Sequence, residues 1–151
     1  IAIEPERLNF EALTYNVRLN GLKNVITVRK ACFSRSGKVK LYLSRCSGRH
    51  SLIGLPTQRY EIVEAVKLDD LLRDYNVEPS EVRLLKIDVE GSEVYVLKGC
   101  RNLLKTGKPV IIFEALTQHN YKKCKEFLRR FGYKVKRIEK LNFIALPKPN
   151  L

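Results

Sequence analysis

The sequence contains no methionine, not even at position 1, and it opens on Ile1-Ala2-Ile3, an apolar run that reads as the inside of a strand. Polypeptide ahead of Ile1 is therefore expected to have been removed or left out. No run of about 18 apolar residues occurs, which excludes a spanning helix. The first residues form neither a basic segment nor a continuous apolar one, which excludes a secretory signal. A soluble, cytoplasmic protein is the expectation. Histidine is limited to two residues, and the four cysteines (Cys32, Cys46, Cys100 and Cys124) lie far apart with no CxxC pair, so the spacing of a zinc site is missing. They read as reduced thiols, with Cys100 and Cys124 on apolar helix faces.

Acidic residues are scarce as well: 16 Asp and Glu stand against 29 Lys and Arg, a net charge of +13. Such a charge can steer nucleic acid, an anionic lipid surface or a phosphorylated substrate. Most of the basic residues are scattered, however, as on a solvated surface, and only Lys122 to Lys140 is dense. No aromatic residues are interleaved there in a recognisable nucleic-acid module, which favours the solvated reading. With 44% apolar residues in 151, the chain is long enough for one core, and residues 1–151 are read as a single domain.

Strand Ile1–Ile3 should stop at Glu4-Pro5, where proline suits a first helical turn. From Glu6 to Asn20 two adjacent apolar stripes recur at helical spacing, and Gly21 supplies a left-handed cap. Val25–Val28 reads as a strand. Val39, Leu41 and Leu43 alternate with Lys38, Lys40 and Tyr42, as in a half-exposed antiparallel strand. Ser44 to Arg59 is polar and reads as a mobile loop containing a solvent-exposed His50. Ile62–Val66 is another strand, and Asp69 is expected to cap a short helix. Val82 to Ile87 reads as a strand covered on both faces, followed by a helix that Ser92 and Glu93 open and Gly107 ends. Val110–Phe113, a helix through Cys124 and Leu128 stopped by Gly132, and a terminal antiparallel pair complete the order. Alternation of this kind predicts an open α/β sheet with helices on both faces.

In such sheets the ligand lies beyond the carboxyl ends of the parallel strands. Glu4, Asp88 with Glu90, and Glu114 occupy those ends. An acid at the end of a strand in a nucleoside-binding fold can accept hydrogen bonds from ribose hydroxyls, although Glu4 can equally be a residue favoured at a helix entrance. Ser92 and Glu93 read as helix-capping residues.

Several separated motifs then resemble one family. They are Ile3-Glu4-Pro5 with Leu19-Asn20-Gly21-Leu22, Leu68-Asp69-Asp70-Leu71, Leu85 through Glu93 with Leu97-Lys98-Gly99, and Pro109, Glu114, Gly132-Tyr133 and Asn142-Phe143-Ile144-Ala145. On these residues the chain resembles the FkbM-type methyltransferases. The resemblance implies a Rossmann-like class I methyltransferase sheet, mostly parallel, with S-adenosylmethionine as methyl donor and O-methylation of a small molecule or sugar hydroxyl. It implies that Glu4, Ala31, Cys32 and Asp88 contact the donor, Glu4 at the ribose and the Ala31-Cys32 region at the adenine. Asp88, Glu90 and Glu114 would line the transfer pocket, with His119 the nearest proton acceptor. No metal is assigned, a divalent cation on the same carboxylates being the lesser alternative.

One departure matters. The family's first strand and acidic, glycine-rich turn are missing, and that strand is central, between the strands ending at Glu4 and Asp88. Residues 1–151 alone are thus expected to bind the donor weakly or not at all, unless a homo-oligomer compensates. The competing readings are an RNA methyltransferase, although the Asn-Pro-Pro-Tyr type of motif is absent, and a non-catalytic binding or assembly module. Substrate selection would reside in Ser44 to Arg59 and Ala115 to Asn120.

Overall fold

The computed structural model describes residues 1–44, 49–54 and 59–148. Cys46 and much of the loop from Ser44 to Arg59 lie outside the described residues.

Strand β1 (Ala2–Ile3) leads into helix α1 (Arg7–Leu19), whose amino end is capped by Glu6, the carboxylate accepting from the Asn9 N–H at 2.7 Å. The carboxyl end closes as the sequence predicts. Gly21 (φ 62°) donates to the Arg18 carbonyl and Leu22 to that of Val17, both at 3.0 Å, which satisfies two carbonyls the helix leaves open. The two apolar stripes are not buried as expected. No residue of α1 is buried, and Leu8, Tyr15 and Leu19 are 59%, 64% and 67% exposed, because no described element covers them.

Strand β2 (Thr27–Val28) runs parallel to β1. The next three, β3 (Ala31–Cys32), β4 (Gly37–Tyr42) and β5 (Tyr60–Val66), form a sheet in the order β3-β5-β4 with β4 antiparallel to β5. The predicted alternation holds here: Leu41 is buried among Ala31, Val63 and Ala65, with Val39 and Leu43 packed alongside.

Helix α2 (Leu68–Asp74) has Lys67, not Asp69, at its cap position. Asp69 instead accepts from the N–H groups of Asn102 (2.8 Å) and Leu103 (3.0 Å), so it caps a helical segment far along the chain. After a 3₁₀ turn at Pro79–Glu81, β6 (Leu84–Ile87) begins later than Val82, which terminates that turn. The helix predicted from Ser92 to Gly107 is divided into α3 (Glu93–Lys98) and a π-helical turn, Leu103–Gly107. Gly99 marks the break: a Cβ there would collide with the Phe33 carbonyl oxygen, and the Asp69 N–H donates to the Gly99 carbonyl at 3.0 Å. The Phe33 and Tyr95 rings stack at 5.0 Å beside it, tying the smaller sheet to α3. Lys108, rather than Gly107, takes the left-handed conformation that ends the segment.

Strand β7 (Val110–Glu114), helix α4 (Gln118–Arg129), and the strands β8 (Tyr133–Glu139) and β9 (Asn142–Pro147) follow. They make a four-stranded sheet, β6-β7-β9-β8, parallel between β6 and β7 and antiparallel elsewhere. This is a mixed α/β fold. Its main core lies against this sheet, where Leu97, Cys100, Leu103, Leu104, Ile111, Phe113, Cys124 and Leu128 are fully buried. The strand expected to be covered on both faces is covered only in part, since Ile87 is buried while Leu84 is 56% exposed.

Candidate functional site

A cavity of about 670 Å³ opens between β1 and β6, and it is lined by Glu4, Ala31, Cys32, Asp88 and Glu90 among others. Four residues predicted to contact a nucleoside donor therefore border one space. Glu4 follows β1, and its carboxylate accepts the Glu6 N–H at 2.8 Å. Burial raises its pKa, as does the Glu6 carboxylate, against the Glu6 N–H and His50, which lower it. The cap position of α1 belongs to Glu6, not Glu4. Burial opposes the charge on Glu6 too, but the N–H groups of Asn9 and Leu8 outweigh it and lower its pKa.

Asp88 leaves the end of β6 and pairs with Lys86 at 2.8 Å. The chain then turns through Glu90 (φ 51°) and Gly91 (φ 101°), a left-handed pair that costs a non-glycine residue energy and is held by its surroundings. Two bonds hold it. The Ser51 hydroxyl donates to the Glu90 carbonyl at 2.7 Å, which fixes residues 49–54 against the turn, and the Gly91 N–H donates to Glu93 at 3.0 Å. Glu114, from the end of β7, reaches the same group of acids. The carboxylate oxygens of Asp88, Glu90 and Glu114 lie within 4.8 Å of one another. Burial raises the pKa of Glu90, and the charge of Asp88 adds to it. Burial also raises that of Glu114, followed by a hydrogen bond and charge repulsion from Asp88. Beside neighbouring carboxylates, Glu90 and Glu114 retain a proton more readily than isolated ones.

His119 sits exposed in the first turn of α4 and does not line the cavity. His50, expected to face solvent, does line it, and its Nδ1 accepts the Ser44 N–H at 3.0 Å. The path of the loop places it there, which residue type alone does not reveal. Cys32 is a half-buried free thiol whose pKa is pushed up to about 12 by desolvation, which makes it an apolar wall and not a nucleophile. Cys100 and Cys124 are free and buried as expected.

Ser92 stands at the cap position of α3 and Glu93 in its first turn, as predicted, but the hydroxyl does not do the capping. Ser92 makes no side-chain cap bond, and its buried hydroxyl has no partner. Glu93 is fully buried and accepts from the Gly91 N–H and from the Asn120 side-chain amide, while the Cys124 thiol lies 3.8 Å from Asn120 Oδ1. This buried group braces the turn that carries Asp88 and Glu90. The sequence gives only a weak sign of it, a Thr117-x-x-Asn120 spacing that reads as an ordinary helix cap; Thr117 does accept the Asn120 N–H at 3.1 Å.

The family described as "Methyltransferase FkbM domain" matches residues 1–135. A solved structure, the FkbM methyltransferase from Methylobacillus flagellatus KT, superposes with a TM-score of 0.68 over 95% of this chain at 16% identity, a likeness of fold. The chain spans 35% of that protein's length. No curated protein matches the chain. The sheet order, the acids gathered at the strand ends and the match over residues 1–135 lead to one conclusion: the chain belongs to the FkbM methyltransferase family.

Proposed function

We propose that residues 1–151 belong to a methyltransferase that transfers a methyl group from S-adenosylmethionine to a hydroxyl of a small molecule or sugar. The observation that carries this reading is the placement of Glu4 and Asp88 on one cavity at the ends of two parallel-sheet strands. The residues present fit a nucleoside. Glu4 is a partly buried carboxylate on the cavity wall, and ribose hydroxyls are donors of the kind a carboxylate accepts. Ala31 and Cys32 offer an apolar wall to a base.

Bound S-adenosylmethionine supplies an electrophilic sulfonium methyl, whose C–S bond breaks with its electrons left on sulfur as the acceptor oxygen bonds to carbon. Asp88, Glu90 and Glu114 hold an acceptor hydroxyl in line and take its proton. Their raised pKa values make Glu90 and Glu114 stronger bases than free carboxylates. Alignment is the larger contribution. Because the donor's positive charge disappears during transfer, these acids favour binding more than rate.

Residues 1–151 by themselves should hold the donor weakly, so the test is equilibrium dialysis of radiolabelled S-adenosylmethionine against concentrated protein. Glu4→Ala should lower retention by about tenfold, the order expected for losing a charged hydrogen-bond acceptor. Equal retention by the wild type and Glu4→Ala would remove Glu4 from the donor site.

A further inference from the structure

The terminal hairpin carries apolar residues on its outside. Strands β8 and β9 are joined through Lys140 and Leu141, with Glu139 paired to Asn142. Leu141 is 40% exposed and Ile138, on the other side of the turn, 55%. A third aliphatic side chain comes from a neighbouring connection. The Ala115 N–H donates to the Leu141 carbonyl at 2.9 Å, which holds the link between β7 and α4 against the turn, and the next residue, Leu116, is 41% exposed. A single exposed leucine is ordinary on a protein surface, whereas several at one tip make a patch. Cations accompany it. Lys136, Arg137 and Lys140 lie exposed on the hairpin, and Lys122 and Lys123 lie exposed on α4. None of them is in an ion pair among the described residues. Glu139 is the single acid between Lys134 and Leu146. The tip also borders the candidate site, because Glu114 pairs with Asn142, the residue after Leu141.

Aliphatic side chains accompanied by lysine and arginine suit the boundary of an anionic bilayer, where the apolar groups enter the acyl region and the cations meet the headgroups. The alternatives fit less well. Single-stranded nucleic acid is held by stacking aromatics as well as by charge, and it gives aliphatic side chains nothing to bury against. Protein interfaces are depleted of lysine. We infer that the tip formed by Ile138, Leu141 and Leu116 docks on an anionic lipid surface, the flanking cations supplying the attraction and the aliphatic side chains the insertion. Because the tip adjoins Glu114, docking brings the acid group to the lipid boundary. The acceptor hydroxyl is then one carried by a lipid or a lipid-linked sugar; that consequence rests on the methyltransfer reading above, while the docking does not.

The chain contains no tryptophan, so Leu141→Trp places a single reporter at the tip. With vesicles of phosphatidylcholine and phosphatidylglycerol its emission should shift to the blue and be quenched by bromine-labelled acyl chains. Leu19→Trp, on the exposed side of α1, should keep its emission. Co-sedimentation with the same vesicles gives the affinity. Ile138→Ser combined with Leu141→Ser should weaken it about tenfold, as apolar area is lost from the bilayer. Lys136→Glu combined with Lys140→Glu should weaken it by at least about fivefold for each lysine. Lys23→Glu combined with Lys105→Glu removes the same charge elsewhere and should leave binding within about twofold. All these positions are exposed, so the far-ultraviolet circular dichroism should not change. Equal binding to vesicles of phosphatidylcholine alone, equal losses in the two charge variants, quenching at residue 19 instead of 141, a dimer in the absence of vesicles that Leu141→Ser abolishes, or binding to single-stranded RNA in place of the vesicles would overturn the inference. No donor is present in these assays. Equal retention of S-adenosylmethionine by the wild type and Glu4→Ala therefore removes the consequence for the acceptor and leaves the docking intact.

Discussion

Glu93 shows how a buried carboxylate can serve a site without touching a ligand. It satisfies the Gly91 N–H and the Asn120 amide in a place closed to water, and both would be orphaned without it. Glu93→Ala should therefore cost about 2 kcal/mol of unfolding free energy, read from urea denaturation. An effect within about 0.5 kcal/mol, as at ordinary surface positions, would show that the brace is dispensable. Glu90 and Glu114 act in the opposite direction. Their carboxyls, with pKa values raised above 4.5, bind protons in the folded chain at a pH where the unfolded chain has released them. Stability thus falls as pH climbs from 4.5 through the raised values, and Glu114→Gln should flatten that fall in a series of melts. Glu6, whose pKa is lowered, works against this only below 4.5. Glu4 and Asp88 were legible as residues that end strands, because strand ends are visible in a sequence. His50 and Asn120 were not, since their approach depends on a loop path and on a helix turned toward another.

Among the elements, α1 is held by its caps more than by its packing. Helical periodicity, Glu6 and the Gly21 closure all mark it correctly in the sequence, but the same pattern predicts burial that the described residues do not supply. Periodicity identifies a face that seeks a partner; it does not say whether the partner is present. A helix with no buried residue opens locally, so its amides should exchange at least tenfold faster, relative to unstructured rates, than those of α4, where Asn120, Cys124 and Leu128 are buried. Comparable protection in the two helices would mean that α1 is covered in solution. The break after α3 was illegible for a different reason. Gly99 in a helical rhythm reads as tolerated, and only the approach of Phe33 from another sheet makes it necessary. Gly99→Ala should displace that contact and lower the melting temperature, with a loss on the order of 1–3 kcal/mol as for other overpacked sites.

For the whole molecule, the sheet arrangement follows from the alternation of strands and helices and from the terminal hairpin, both plain in the sequence. Among the described residues two strand groups, β1-β2 and β6-β7-β9-β8, are not paired with each other across the cavity. The cavity between β1 and β6 was not legible, because no local signal records the approach of two strands about 80 residues apart. Among the described residues no helix is long and apolar enough to cross a membrane. What joins the parts functionally is the claim that the acids closing β1 and β6 frame a single adenosyl site. Amide chemical shifts of isotopically labelled chain, recorded as S-adenosylhomocysteine is raised to millimolar concentration, report on every residue of that site at once. The shifts should gather at residues 3–6, 31–33 and 87–91, and shifts confined to the basic segment between Lys122 and Lys140, or none at all, would contradict the account.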